Sequence, residues 1–399
     1  MTKIIAIIDN EIGAGGGFDQ ALNAILQIKK LSVNKFELLV FTTKKSNLFF
    51  LNKLGIQAIK IEISFFDKLL ARLSGISLWH DLQKHIRFIC PFEKKLIRHG
   101  CDLAYFVTPS NLPAALQKLN YIFTLWDLCH RETPEFPEVR DFNTFFIREK
   151  NYKHNLAPAF LILTESKRTI NLASHYYGID FNRFLSMPLS ATPFIDQIHS
   201  ESKQSILKKY SLKKSYFYYP AQFWAHKNHI RILQALIILR DNHNSMPNVV
   251  FSGKDYGNLN YIEQFINANN LTSQVKILGF VPSQDLRGLY ENASAIVMPT
   301  YFGPTNLPPL EAWSLGIPLI YSSHISEWQV KNAALLVDPD NSDEIAKAMI
   351  LSTILKVRKR LISNGYNRLF DISRERKNAE KKFSEIINKF LLRRECWKI

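Results

Sequence analysis

The chain has 399 residues, more than one hydrophobic core ordinarily supports, so two domains are expected. Its 46% hydrophobic and 22% charged residues suit a soluble globular protein, and no apolar run approaches the roughly 20 residues that a membrane span needs. The balance of 51 Lys and Arg against 35 Asp and Glu leaves a net charge of +16, which favours a polyanionic partner: nucleic acid, an anionic membrane surface or a phosphorylated substrate.

In chain order, Lys3–Ile8 is a short apolar run that meets Asp9 at once, which suits a buried strand and not a signal peptide. Gly13-Ala-Gly-Gly-Gly17 follows, ahead of a helix expected from near Phe18. Phe18 takes the third glycine position of G-x-G-x-x-G, so the stretch argues for close backbone approach to a ligand, or a plain turn, and only weakly for a dinucleotide. Phe36–Phe41 and Ala58–Ile63 read as strands. Phe65–Leu73 then repeats apolar residues at helical spacing with Lys68 and Arg72 between them, the pattern of a core helix or of a membrane-surface contact. Leu103–Val107, Tyr121–Trp126 and Phe160–Thr164 complete the strands of the first half. The second of these delivers Asp127 and His130 to a strand end, where they could orient or deprotonate a hydroxyl, although an Asp there also serves as a turn or cap residue.

Two prolines in Met187–Pro193 punctuate the pattern, so the domains are placed at 1–190 and 191–375, followed by 376–399 with a final helix expected near Arg374–Leu392. In the second half Tyr216–Pro220, Asn248–Ser252, Val275–Leu278, Ala295–Met298, Pro318–Tyr321 and Ala334–Val337 read as strands, with His229–Leu239 and Asp343–Leu351 as crossover helices. None of the strands alternates cleanly between apolar and polar, as expected of parallel strands covered on both faces. The whole is α/β, with two Rossmann-like doubly wound domains that hold ligands at their strand carboxyl ends. Cys90, Cys101, Cys129 and Cys396 show neither C-x-x-C nor zinc-ligand spacing and read as reduced thiols of a cytoplasmic protein.

Three segments of the second half carry candidate chemistry. In Tyr219–Arg231, Lys227 and Arg231 stand four apart and would share a helical face, where a cation at the mouth of a sheet suits a diphosphate. A solvated basic helix start is the alternative, and His226 and His229 read as helix-surface residues. Thr300–Leu319 follows a strand and opens a helix near Pro308, whose free N–H groups would attract an anion. Glu311 is expected in its first turn, either accepting hydrogen bonds from a ribose diol or complementing the helix dipole. Asp338-Pro-Asp340 fits the D-x-D metal pattern, but it ends a strand ahead of a helix and reads as a turn. The basic residues are dispersed and no nucleic-acid recognition motif appears, so no nucleic-acid partner is expected.

Leu307-Pro-Pro-Leu-Glu-Ala312, followed by Leu315-Gly-Ile-Pro318, resembles the signature of glycosyltransferase family 4, enzymes of the GT-B fold in which two glutamates eight positions apart lie in E-G-F-G-L-P-x-L-E-A. The resemblance implies that Glu311 meets the nucleotide ribose and that Asn306 and Leu307 lie near the donor diphosphate and sugar. Gly303 stands where the first glutamate belongs, leaving Thr305 and Asn306 as local candidates for the sugar hydroxyls. Lys227-Asn228 resembles the family's lysine–asparagine pair, with Arg231 beside it, and Gln222 replaces a family arginine. Asp127 is kept from a His-Asp pair whose histidine is here Trp126, and Gly16 and Gly17 would lie between donor phosphate and acceptor. Membership implies retaining transfer of mannose or a related hexose from a GDP- or UDP-linked donor, without cofactor or metal, to a saccharide or lipid-linked acceptor of O-antigen or capsule synthesis. The surplus charge and Phe65–Leu73 suggest the inner face of the plasma membrane as its place of work. A sugar-nucleotide epimerase of the same fold and a non-enzymatic polyanion-binding protein are the alternatives.

Overall fold

The computed structural model describes residues 2–11, 16–33, 36–73, 88–191, 195, 203–303 and 305–397. Gly13–Gly15 and Thr192–Pro193, singled out above, lie outside the described residues.

The β-branched and aromatic runs of each half build a parallel sheet of their own. The first contains β1 (Lys3–Ile8), β2 (Glu37–Thr42), β3 (Ala58–Lys60), β4 (Leu103–Phe106), β5 (Asn120–Leu125), β6 (Leu161–Thr164) and β7 (Phe184–Ser186), in the order β3-β2-β1-β4-β5-β6-β7. β3 ends at Lys60 and not Ile63, because its sole neighbour β2 ends at Thr42, which pairs with Lys60. β7 is a three-residue strand paired only with β6, too short for a pattern to announce it. Ile5, Ile7, Phe106 and Phe123 project into the core of this unit.

The second sheet contains β8 (Tyr216–Pro220), β9 (Asn248–Ser252), β10 (Val275–Ile277), β11 (Ala293–Met298), β12 (Leu319–Ser322) and β13 (Leu335–Val337), in the order β10-β9-β8-β11-β12-β13. Tyr218, Phe251, Tyr290, Trp313 and Tyr321 are fully buried around it. Just past β9, a Cβ on Gly253 would stand 2.2 Å from the Ala221 carbonyl oxygen, so only glycine lets the segments leaving β8 and β9 run this close.

The chain divides into one unit of Met1–Glu132, Phe142–Leu189 and Glu375–Ile399, and a second of Thr133–Asp141 and Ser190–Arg374. Thr133–Asp141, which the sequence division leaves in the first domain, therefore groups with the second. The last helix is one continuous element, Leu355–Arg394, longer than the Arg374–Leu392 expected. Its end is bound into the first unit: Gln27 Nε2 donates to Glu380 Oε1 at 3.4 Å, and the Phe160 and Phe390 rings lie 4.7 Å apart.

Candidate active site

In the second sheet the winding reverses between neighbours β8 and β11. Open parallel sheets bind ligands at the strand carboxyl ends beside such a switch point. Two loops leave there, Ala221–Asn228 and Pro299–Asn306, and they are tied together. The Tyr301 N–H and the Thr300 hydroxyl both donate to the His226 carbonyl, at 2.9 and 3.2 Å. Asn228 holds a left-handed backbone (φ 60°), which Asn tolerates, and its Nδ2 donates to the Pro299 and Pro339 carbonyls at 2.9 and 2.8 Å. Its side-chain amide is thus a structural tie within the protein and not a group aimed at substrate.

Lys227 closes the short turn Ala225–Lys227, and the helix proper starts at His229. The left-handed residue between them breaks the helical register, so Lys227 and Arg231 do not share a face as expected from their spacing. Arg231 donates instead to Gln234 Oε1 at 2.9 Å and lies 3.9 Å from Asp340, which accepts from the Tyr301 hydroxyl at 2.6 Å. Asp338 Oδ1 accepts the Asp340 N–H at 2.9 Å, so the D-x-D pair is engaged in its own turn and in this contact. The Tyr219 hydroxyl donates to the Lys227 carbonyl at 3.0 Å and fixes the turn that carries the half-buried lysine.

Neither flanking histidine lies on the surface. His229 is 0% exposed, its ring centroid 4.8 Å from Tyr219 and 4.9 Å from both Phe223 and Phe251. Neither ring nitrogen has a hydrogen-bond partner among the described residues, and burial, with Lys227 and His226 nearby, pushes its pKa down to about 3. His226 stacks on Phe302 at 3.7 Å and binds Glu138 through Nδ1. Both were expected on a helix surface, whereas the helix begins at His229 and turns that residue onto the sheet.

Gly303 has φ +112°, and a Cβ there would meet the Asn306 amide at 3.1 Å, so a glutamate at this position would be strained. Asn306 precedes the helix Leu307–Ser314 and is buried; its Nδ2 donates to the Gly303 carbonyl and the Tyr321 hydroxyl, at 2.9 and 2.8 Å. Its N–H donates to Gln329 Oε1 at 2.9 Å, and Pro308 and Pro309 have no N–H to offer. The helix start therefore presents the Leu307 N–H to an anion and not the full set expected. Because the helix begins at Leu307, Glu311 lies beyond its first turn, which contains no acid. Buried Glu311 accepts from the Tyr290 hydroxyl at 2.6 Å, and Thr305 is half-buried in the preceding loop.

Sequence reasoning missed several neighbours. The Gln222 Oε1 accepts the Lys254 N–H at 2.5 Å, and the Lys254 ammonium lies 5.2 Å from the Phe280 ring, bringing the loops after β8, β9 and β10 together. The visible signal was Ser252-Gly-Lys254, a glycine at a strand end. Glu138 carried no signal, because its partner is 88 positions away.

The first unit resolves its candidates differently. Asp127 accepts from Arg148 Nη2 at 2.5 Å and from the Cys129 N–H at 3.0 Å; although burial opposes ionisation, Arg148 holds its pKa down to about 2. His130 is fully buried, with Nε2 2.8 Å from Glu149 Oε1, and burial pushes its pKa down. Glu149 also binds Arg131 Nε at 2.7 Å and the Tyr177 hydroxyl at 2.7 Å. A carboxylate this acidic and an enclosed imidazole do not fit the deprotonating role expected of them. Gly16 and Gly17 open the helix Gly16–Ser32, two residues earlier than the expected start at Phe18. Asp9, at the end of β1, accepts from the Thr108 and Ser110 hydroxyls, and burial raises its pKa.

Two doubly wound units, the second with a cation loop and a glutamate helix at its switch point, define the GT-B class. HepE of Anabaena, in complex with UDP-glucose, shares this fold at a TM-score of 0.69 and 15% identity, covering 98% of this chain and 100% of that one. Residues 202–368 match the family described as glycosyl transferases group 1. The O-antigen chain mannosyltransferase B of Escherichia coli is 27% identical over 54% of this chain and 57% of its own length. The O-antigen chain mannosyltransferase RfbU of Salmonella typhimurium is 25% identical over 48% of each chain. The chain thus spans about half the length of the curated relatives it matches.

Proposed function

We propose that this chain is a retaining glycosyltransferase that moves mannose or a related hexose from a GDP- or UDP-linked donor to a saccharide or lipid-linked acceptor of surface-polysaccharide synthesis. The observation that carries the reading is the switch point of the second sheet, where the loop of Lys227 is hydrogen-bonded to the loop that leads into the Glu311 helix. In this reading Glu311 accepts hydrogen bonds from the ribose diol. Lys227 and the Leu307 N–H face the diphosphate, whose negative charge grows as the glycosidic bond breaks. The O-antigen mannosyltransferase relatives and the UDP-glucose bound by HepE support the donor class. Transfer needs no metal or other cofactor in this scheme, and the engagement of Asp338 and Asp340 in their own turn supports that.

The test is thermal shift with GDP and UDP, since the correct nucleotide stabilises by mass action. Glu311→Gln keeps an acceptor for Tyr290 but loses the charge, and should weaken nucleotide binding about tenfold. A Glu311→Gln protein that binds either nucleotide as tightly as wild type would remove the assignment. Acceptor-dependent release of the nucleotide separates transfer from epimerisation.

The same proposal places the enzyme reversibly on an anionic membrane face. Among the described residues no helix is long and apolar enough to cross a membrane. In the helix Phe65–Leu73, Phe65 and Phe66 are 72% and 62% exposed, and Leu69, Lys68 and Arg72 are exposed beside them; of the apolar stripe only Leu70 is buried. Lys150 Nζ donates to the Arg72 carbonyl at 2.9 Å, linking this helix to one that exposes Phe146 and Ile147. Exposed aromatics among cations suit insertion at a headgroup layer, where each basic residue contributes about 1 kcal/mol. Binding to anionic but not neutral vesicles, released by Lys68→Glu with Arg72→Glu, is the expected result.

A further inference from the structure

The donor motif lacks an acid at Gly303, and the backbone there would strain one. Building on the donor-site reading above, we infer that Glu138, contributed from the chain between β5 and β6, supplies that carboxylate and binds hydroxyls of the transferred sugar.

Thr133–Asp141 groups with the second unit, and its contacts fall on the two loops of the switch point. The Phe136 ring lies 5.1 Å from Tyr301 and 5.6 Å from Phe302, the two residues that precede Gly303. Pro137 then starts a short helical turn that holds Glu138. Glu138 Oε1 accepts from the His226 N–H at 3.0 Å and from His226 Nδ1. The same histidine ring stacks on Phe302 at 3.7 Å, and its carbonyl accepts the Tyr301 N–H at 2.9 Å. The carboxylate is thereby fixed within one aromatic ring of the Phe302-Gly303 bend and next in chain contact to Lys227.

Both hydrogen bonds from His226 fall on Oε1, which leaves Oε2 outside that clamp on a side chain that is 9% exposed. Burial opposes the charge, but the His226 bonds hold the pKa below the usual carboxylate range, so the group is ionised at neutral pH. An ionised, pre-oriented acceptor at the rim of a nucleotide-sugar site takes hydroxyl donors, and sugar hydroxyls are the donors such a substrate brings.

The experiment compares GDP with GDP-mannose, and UDP with UDP-glucose, by calorimetry on wild type, Glu138→Gln and Glu138→Ala. Glu138→Gln keeps an oxygen for His226. It should bind the nucleoside diphosphate within twofold of wild type, yet lose roughly tenfold in affinity for the matching sugar nucleotide. Glu138→Ala should show the same selective loss, with any lower melting temperature reporting the clamp separately. An unchanged ratio of sugar-nucleotide to nucleotide affinity in both variants overturns the assignment of Glu138 and leaves the donor site standing. Failure of wild type to bind any of the four probes overturns the donor-site reading and this inference with it.

Discussion

The strand end after β5 and the switch point after β8 and β11 present the same sequence signal: charged and imidazole groups at the carboxyl end of a buried parallel strand. They resolve in opposite ways. After β5, Asp127 and His130 meet ready partners on the helix Thr144–Asn155, Arg148 and Glu149, and close into an internal ion network. After β8 and β11, the two buried asparagines Asn228 and Asn306 tie carbonyls and a hydroxyl. Glu138 is held by His226, and buried Glu311 accepts from the neutral Tyr290 hydroxyl. A strand-end position is therefore not enough to assign a catalytic role. What decides is whether the fold already supplies the counter-charge.

Three substitutions test that contrast. The largest effect belongs to Glu149→Ala, which strands His130, Arg131 and Tyr177 in a mostly buried setting and should cost about 3–5 kcal/mol of stability, read from urea unfolding. A cost below about 1 kcal/mol would show the network to be incidental and return Asp127 and His130 to the list of catalytic candidates. Lys227→Ala should do the reverse. With a single charge-assisted contact worth roughly 1.5–3 kcal/mol, turnover at saturating donor should fall roughly tenfold to a hundredfold while the unfolding midpoint barely moves. Unchanged turnover would make Lys227 plain surface charge.

The sequence made the fold legible almost throughout, because long parallel strands announce themselves as continuous apolar runs: β8 and β9 were placed to the residue. It failed at β3 and β7, whose lengths are set by their neighbours and not by their own side chains. In the site, residues fixed by local rules were placed near the right elements, but their roles were not. One left-handed residue, Asn228, undid the helical face expected to be shared by Lys227 and Arg231. Two prolines removed the N–H groups on which the anion argument rested. Glu138 was invisible for a different reason: its meaning comes from a tertiary contact across 88 positions.

The smallest effect at neutral pH, and the one that separates the units by pH, concerns His229. It is enclosed by Tyr219, Phe223 and Phe251 with no hydrogen-bond partner on either nitrogen among the described residues, and its folded pKa of about 3 lies below the ordinary value near 6.5. Between those values the unfolded chain binds a proton that the folded chain does not, so stability rises with pH across the window and is lost as pH falls from about 6.5 toward 3. His130 contributes with the same sign in the first unit. Asp127 and Glu149, held at about 2, keep their contribution until the pH drops below the ordinary carboxylate range near 4. His229→Phe keeps an aromatic ring in the cradle and removes two unpaired nitrogens. It should be within about 1 kcal/mol of wild type at pH 7, as the gain from removing buried polar atoms offsets the tighter fit. From about pH 6.5 down to about 3 it should gain on wild type by about 1.4 kcal/mol per unit, then run parallel to it at lower pH, where the carboxylates of the first unit govern both proteins. Melting curves at half-unit pH steps are sufficient. A difference between the two proteins that stays constant from pH 7 to 4 would mean that His229 takes up its proton in the folded state, and that the aromatic cradle is open to water.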